Sequence, residues 1–144
     1  MREAAALPLS TITAWEGLVA RAAVHADQKV LIHAGAGGVG HIAVQIARAF
    51  GADVYATASL DKMRIVEQFE ATPIDYRSTS VEEYAGSYTG GRGFDIVYDT
   101  VGGATLDASF AAVKRYTRHV LSCLGWGTHS LAPLSFRGAT YTGV

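Results

Sequence analysis

A single cysteine leaves the chain unable to close an internal disulfide, and Cys123 lies in an apolar stretch where a buried, inert thiol is expected. One cysteine and 5 scattered histidines supply none of the spacings of a zinc site. Charge is sparse and balanced: 12 Lys and Arg stand against 13 Asp and Glu, with no basic run. That argues against a nucleic-acid footprint and against a polybasic membrane contact. Long apolar runs are also missing, since Arg, Asp or Gly interrupts each one well before the roughly 18 residues of a membrane span. Met1 to Ser10 hold one Arg and no sustained apolar block, so no secretory signal is read and a cytoplasmic protein is expected.

What is present is a 144-residue chain that is 49% hydrophobic, enough for the core of one domain. Its organising stretch runs from Lys29 to Ser59. Val30, Leu31 and Ile32 form a β-favouring run, and Gly35, Gly37 and Gly40 follow with G-x-G-x-x-G spacing. The first glycine is expected to turn the chain out of the strand, the second to admit a pyrophosphate, and the third to let helix and sheet pack closely. A helix from about Val39 to Phe50, a cap at Gly51 and a strand from Asp53 to Ala58 complete a βαβ unit of about 30 residues. Unpaired N–H groups at the start of that helix favour an anion.

The remaining chain is read in order. Ile12, Trp15, Leu18, Val19 and Ala22 recur at helical spacing, predicting an amphipathic helix from Ser10 to Ala23 with Ser10 or Thr11 as cap. A helix capped by Ser59 or Asp61 runs to about Glu70, followed by a strand at Ile74–Tyr76 and a helix at Ser80–Tyr88. A strand at Phe94–Asp99, a helix at Ala104–Val113 and a strand at Thr117–Leu124 come next. Gly125–Ser135 is read as loop and Ala139–Val144 as a sixth strand. Strands separated by crossovers define an α/β fold, a doubly wound parallel six-stranded sheet in the order 3-2-1-4-5-6 (a Rossmann fold). Residues 1–28 form a lead-in helix, and 29–144 the dinucleotide-binding domain.

Cofactor choice turns on the second strand. An NAD site places an acid about 20 residues past the glycines, whereas here Thr57, Ala58 and Ser59 end the strand. A small polar residue leaves room for a 2′-phosphate, Lys62 and Arg64 supply positive charge, and Tyr76 reaches the adenosine side, so NADP(H) is favoured over NAD(H). Asp61 is the competing acid, and its ordinary role is a helix cap. Lys62 and Arg64 also fit a solvated helix face, and Tyr76 an ordinary core edge. His33 and His41 read as packed or solvent-facing side chains. A methyltransferase-type domain is disfavoured by the absence of an acid at Ala58 and Ser59.

Together HAGAGGVG at His33–Gly40, AVQIAR after it, IDYR at Ile74–Arg77 and FDIVYDTVGG at Phe94–Gly103 resemble the cofactor domain of the medium-chain dehydrogenase/reductase superfamily, zinc-independent quinone oxidoreductase branch. AAALPLSTITAWEGL is similar to the stretch before that family's nucleotide motif. The resemblance implies NADPH-dependent hydride transfer to a quinone, an enone or a related small carbonyl compound, without zinc. It implies a pyrophosphate loop of Gly35, Ala36, Gly37, Gly38, Val39 and Gly40, and adenosine 2′-phosphate contacts at Ser59 and Tyr76. The branch's usual lysine falls near Met63, so Lys62 is either shifted by one helical position or unrelated. Thr100 and Val101, with Leu124, Gly125 and Trp126, match the nicotinamide end. A GroES-like catalytic domain is absent, so the chain reads as a fragment, inactive alone, with Met1 a supplied start residue. No catalytic residue is assigned; Asp99, Asp107 and His129 have ordinary strand-end, helix-face and loop roles. A homodimer through the exposed sixth strand is expected. A non-catalytic nucleotide-binding protein and an NAD-dependent alcohol dehydrogenase-like enzyme are the alternatives.

Overall fold

A computed structural model describes residues 2–116 and 118–144, and side chains from residue 7 onward; Met1 and Thr117 lie outside the described residues. Six strands form one sheet: β1 (Lys29–Ile32), β2 (Asp53–Ala58), β3 (Thr72–Asp75), β4 (Ile96–Asp99), β5 (His119–Ser122) and β6 (Thr140–Gly143). Every pairing is parallel, and the order is β3-β2-β1-β4-β5-β6, the doubly wound arrangement that the sequence predicts. The chain reverses direction across the sheet between β1 and β4, which leaves a crevice beyond their carboxyl ends.

Among the described residues, six α-helices cover the two faces: α1 (Arg2–Trp15), α2 (Gly40–Ala49), α3 (Met63–Gln68), α4 (Val81–Thr89), α5 (Ala104–Ala112) and α6 (Ala132–Arg137). Strand alternation sorts the core into two layers. Val30, Ile32, Ile96 and Tyr98 pack with Leu18, Ala43, Val44 and Val66 on one side. On the other, Leu31 and Val97 meet Tyr84, Leu106, Phe110 and Leu134. Both faces of the central strands are therefore apolar, as parallel strands require.

Three local expectations need correction. The first helix starts at Arg2 and runs through Ser10 and Thr11, because the alanine-rich segment before them favours helix despite Pro8. It continues as a π-helical turn over Glu16–Arg21. There the Tyr98 hydroxyl donates to the Thr13 carbonyl at 2.9 Å, taking the acceptor that the Gly17 N–H would use in an α-helix. Gly17 admits the ring, since a Cβ would stand 3.1 Å from Tyr98. Ile12 and Trp15, expected on the buried stripe, are exposed, and Trp15 stacks edge-on against Phe50 at 6.0 Å.

Second, the loop expected to reach Ser135 contains α6. Pro133 sits in its first turn and Gly138, left-handed at φ 58°, ends it. Third, Asp61 lies within a 3₁₀ turn over Leu60–Lys62 and caps nothing; Lys62 occupies the N-cap of α3. Tyr76 follows β3 instead of ending it, and Cys123, just past β5, is half-buried. Gly51, at φ 83°, closes α2 as expected. Among the described residues, no helix is long and apolar enough to cross a membrane.

Candidate functional site: a dinucleotide crevice

The loop after β1 is stapled to the end of β2. Ala34 donates its N–H to Thr57 Oγ1 at 2.9 Å, and Gly35 donates to the Thr57 carbonyl at 2.9 Å. The sharp turn out of β1 is made by Ala34, which adopts φ 53°; Gly35 has no left-handed φ, which corrects the role expected of it. Gly35 is required by packing instead, because a Cβ there would lie 2.5 Å from that of Ala56. The expected close approach at Gly40 is present: a Cβ would overlap the Ala34 carbonyl. That carbonyl accepts from Gly37 N–H at 2.8 Å, and the Gly37 carbonyl meets His41 Nδ1 at 2.7 Å. Val39, the N-cap of α2, offers no side-chain bond; the His41 N–H donates to the Gly37 carbonyl at 3.0 Å, and the uncapped Gly40 and Ile42 N–H groups are the ones left for an anion.

Beside this loop lies a cavity of about 440 Å³, reached by the ends of β1 and β2 and walled by α4 and α5. Of the residues nominated from sequence, Tyr76 and Val101 line it; Ser59, Lys62 and Arg64 do not. Unnominated Val81, Tyr84, Ala104 and Ala108 give it apolar walls. His33, also unnominated, lines it while only 2% exposed, and Nε2 has no hydrogen-bond partner. Burial lowers its pKa to about 4, so the ring is neutral near pH 7. An unsatisfied buried nitrogen costs about 1–3 kcal/mol. Its signal in the sequence is alternation, which puts His33 on the Leu31 side of β1, facing α4 and α5.

At the outer edge stand Ser59, Asp61, Lys62, Tyr76 and Arg77. The Arg77 guanidinium lies 5.7 Å from the Tyr76 ring centre, and Tyr76 followed by the charge of Asp61 pushes Arg77 upward. The Ser59 hydroxyl, then its own backbone N–H, holds the Asp61 carboxyl below the usual range, with Lys62 and Arg77 adding to this. Arg77 was legible only as the last letter of IDYR. Arg64 is exposed on α3.

The segments after β4 and β5, expected from the sequence to meet the nicotinamide end, are brought together by Asp99, which is fully buried. Its carboxylate accepts from Gly102 N–H at 2.8 Å, Ser122 Oγ at 3.1 Å and Val101 N–H at 3.3 Å. Burial raises its pKa, opposed by those donors. Ser122 Oγ in turn accepts from Leu124 N–H at 3.2 Å, and Thr100 Oγ1 donates to the His33 carbonyl at 2.7 Å. Gly102 and Gly125 allow the contact: a Cβ on the first would overlap the Leu124 carbonyl, and on the second the Tyr141 hydroxyl. Trp126 is 81% exposed, and its carbonyl lies 3.3 Å from His129 Nε2. Asp107 holds His129 Nδ1 at 2.8 Å and raises its pKa. Asp99 is thus a loop anchor and Asp107–His129 a surface brace.

A glycine cradle, an uncapped helix and a crevice at the strand reversal define a dinucleotide-binding domain. The chain belongs to the zinc-binding dehydrogenase family, matched over residues 38–144, within the medium-chain dehydrogenase/reductase superfamily. It is similar to an alcohol dehydrogenase superfamily protein from Novosphingobium aromaticivorans, with 62% identity and a TM-score of 0.92 over 96% of this chain and 41% of that one. CurK enoyl reductase is 31% identical, with a TM-score of 0.86 over 99% of this chain and 43% of that one. Polyketide synthase type I Pks15/1 of Mycobacterium bovis, named for phenolphthiocerol synthesis, is 39% identical over 99% of this chain, which spans 7% of its length. The glycine cradle and the cavity fit a nicotinamide dinucleotide. Among the described residues no three His, Cys, Asp or Glu side chains converge.

Proposed function

We propose that this chain is the NADP(H)-binding domain of an oxidoreductase that passes hydride to an enone, a quinone or a related carbonyl compound. The carrying observation is the union of an uncapped α2 N-terminus and a Cβ-free cradle with the adjoining apolar cavity. When bound, the cofactor supplies the hydride; the protein binds and orients it. Gly35, Ala36, Gly37, Gly38, Val39 and Gly40 hold the pyrophosphate. Ser59, Lys62 and Tyr76 meet the 2′-phosphate, with Arg77 joining them and Arg64 adding positive potential. Thr100, Val101, Leu124, Gly125 and Trp126 receive the nicotinamide end.

Two features support NADP(H) over NAD(H): Ser59 stands where an acid would repel a phosphate, and Arg77 lies against Tyr76. The similarity to an enoyl reductase supports an unsaturated carbonyl substrate. A GroES-like domain would form the other wall of the cleft, so this chain alone binds nucleotide without turnover. The same reading takes the protein as cytoplasmic and as a homodimer, with the unpaired edge of β6 meeting its copy. Sedimentation at tens of micromolar checks that; a monomer throughout would remove the dimer.

Calorimetric titration with NADPH and NADH tests the cofactor assignment. NADPH is expected to bind at least tenfold tighter, with most of the margin lost in Arg77→Ala. Tighter NADH binding would transfer the ribose contact to Asp61 and overturn the NADP(H) preference. No binding of either would remove the function.

A further inference from the structure

The geometry points to His33 as a specificity-determining residue that recognises the purine base of the dinucleotide by a hydrogen bond from its imidazole. The inference rests on the dinucleotide reading above and assigns a role to a residue outside the glycine loop. The cavity that His33 borders holds about 440 Å³ and is walled by Val81, Tyr84, Val101, Ala104 and Ala108. A flat heteroaromatic ring suits such walls, and a phosphate does not. Recognition then needs a small number of polar groups among the apolar ones.

His33 is such a group. It is 2% exposed, with Nε2 buried and unpartnered; Arg48 Nε, Arg118 Nε and His119 Nδ1 are also buried without a hydrogen-bond partner, but His33 is the one of the four that lines this cavity. The strand cannot retract the ring. The His33 N–H donates to the Tyr98 carbonyl at 2.9 Å, and its own carbonyl accepts from Thr100 Oγ1 at 2.7 Å. Nε2 is itself buried, so recognition requires the ring to turn about its soft terminal torsion and bring a nitrogen to an occupant of the cavity. A neutral imidazole carries one donor and one acceptor, as a purine edge does, so the pair forms without burying a charge. Position agrees as well. His33 faces α4 and α5, whereas the glycine loop leads into α2 on the opposite face, so base and pyrophosphate would sit on two sides of the β1 terminus.

Two measurements on the full chain test this. Histidine ¹⁵N resonances are recorded during titration with AMP and, separately, ribose 5-phosphate, and NADPH affinity is measured for His33→Phe and His33→Gln. AMP is expected to shift the His33 nitrogens where ribose 5-phosphate does not. Phe should weaken NADPH binding about five- to tenfold, or roughly 1–1.4 kcal/mol, and Gln should recover part of it. Wild-type binding of NADPH with unmoved His33 resonances and an unaffected Phe variant would overturn the role of His33 and leave the dinucleotide assignment standing. Failure of the wild-type chain to bind NADPH would overturn both. Circular dichroism checks folding of each variant, and should Phe not fold, the wild-type resonances decide alone.

Discussion

Gly40→Ala separates packing from helix propensity, because the two predict opposite signs. In an open helix, alanine for glycine gains up to about 1 kcal/mol. At Gly40 the new Cβ would overlap the Ala34 carbonyl oxygen and stand 2.8 Å from its carbon. That carbonyl has nowhere to go. It accepts from Gly37 N–H at 2.8 Å, while Ala34 N–H is held by Thr57 Oγ1 at 2.9 Å and the residue already sits at φ 53°. Overpacking costs about 1–3 kcal/mol, so the net expectation is a loss of about 1–2 kcal/mol. The control is Gly86→Ala in α4, where an added Cβ meets nothing within 4 Å. It should gain about 0.5–1 kcal/mol. Urea unfolding followed by circular dichroism reads both. A Gly40 variant as stable as the wild type, or a destabilised Gly86 variant, would refute the argument that close approach at Ala34 decides this position.

Asp99→Ala strands the Gly102 N–H and the Ser122 hydroxyl, and should cost about 2–4 kcal/mol in the same unfolding assay; a loss below about 1 kcal/mol would mean that water replaces the carboxylate. For His33 the folded pKa, about 4, lies below the unfolded value of 6.5. The unfolded chain therefore takes up the proton first, so this contribution is complete above pH 6.5 and is lost as the pH falls toward 4. That loss is of order 3 kcal/mol for a shift of this size. Asp99, raised by burial, acts in the opposite sense, so the comparison is wild type against His33→Phe: the variant's stability should fall less between those pH values. Parallel curves would refute the burial argument.

How much of this was legible in the sequence depended on whether the determinant was local. The strand at Asp53–Ala58 was found to the residue, because Gly51 precedes it and the chain turns at Ser59. The sheet order also followed, since crossovers between parallel strands leave few topologies. The π turn was hidden, because the hydroxyl that bonds the helix just before it, that of Tyr98, comes from 85 residues away. α6 escapes the sequence although its signals are present: Pro133 in its first turn and Gly138 after its end mark a helix of six residues, too short to show a periodicity.

The site divides along the same line. Glycine spacing locates the phosphate loop, yet the spacing alone misassigns the physics of its first member. Gly35 is dictated by Ala56 on a neighbouring strand, while the left-handed turn falls to Ala34, a residue with a Cβ. The cavity walls come from α4 and α5, far from the motif in sequence, and so escaped a reading centred on the glycines. His33 lies between the two cases. Its place on the cavity side follows from counting alternate residues along β1, but its orphaned nitrogen emerges only when α4 and α5, distant in sequence, close over it. A motif therefore marks a local feature of the backbone, and the tertiary packing above it decides which side chains line the cavity beside it.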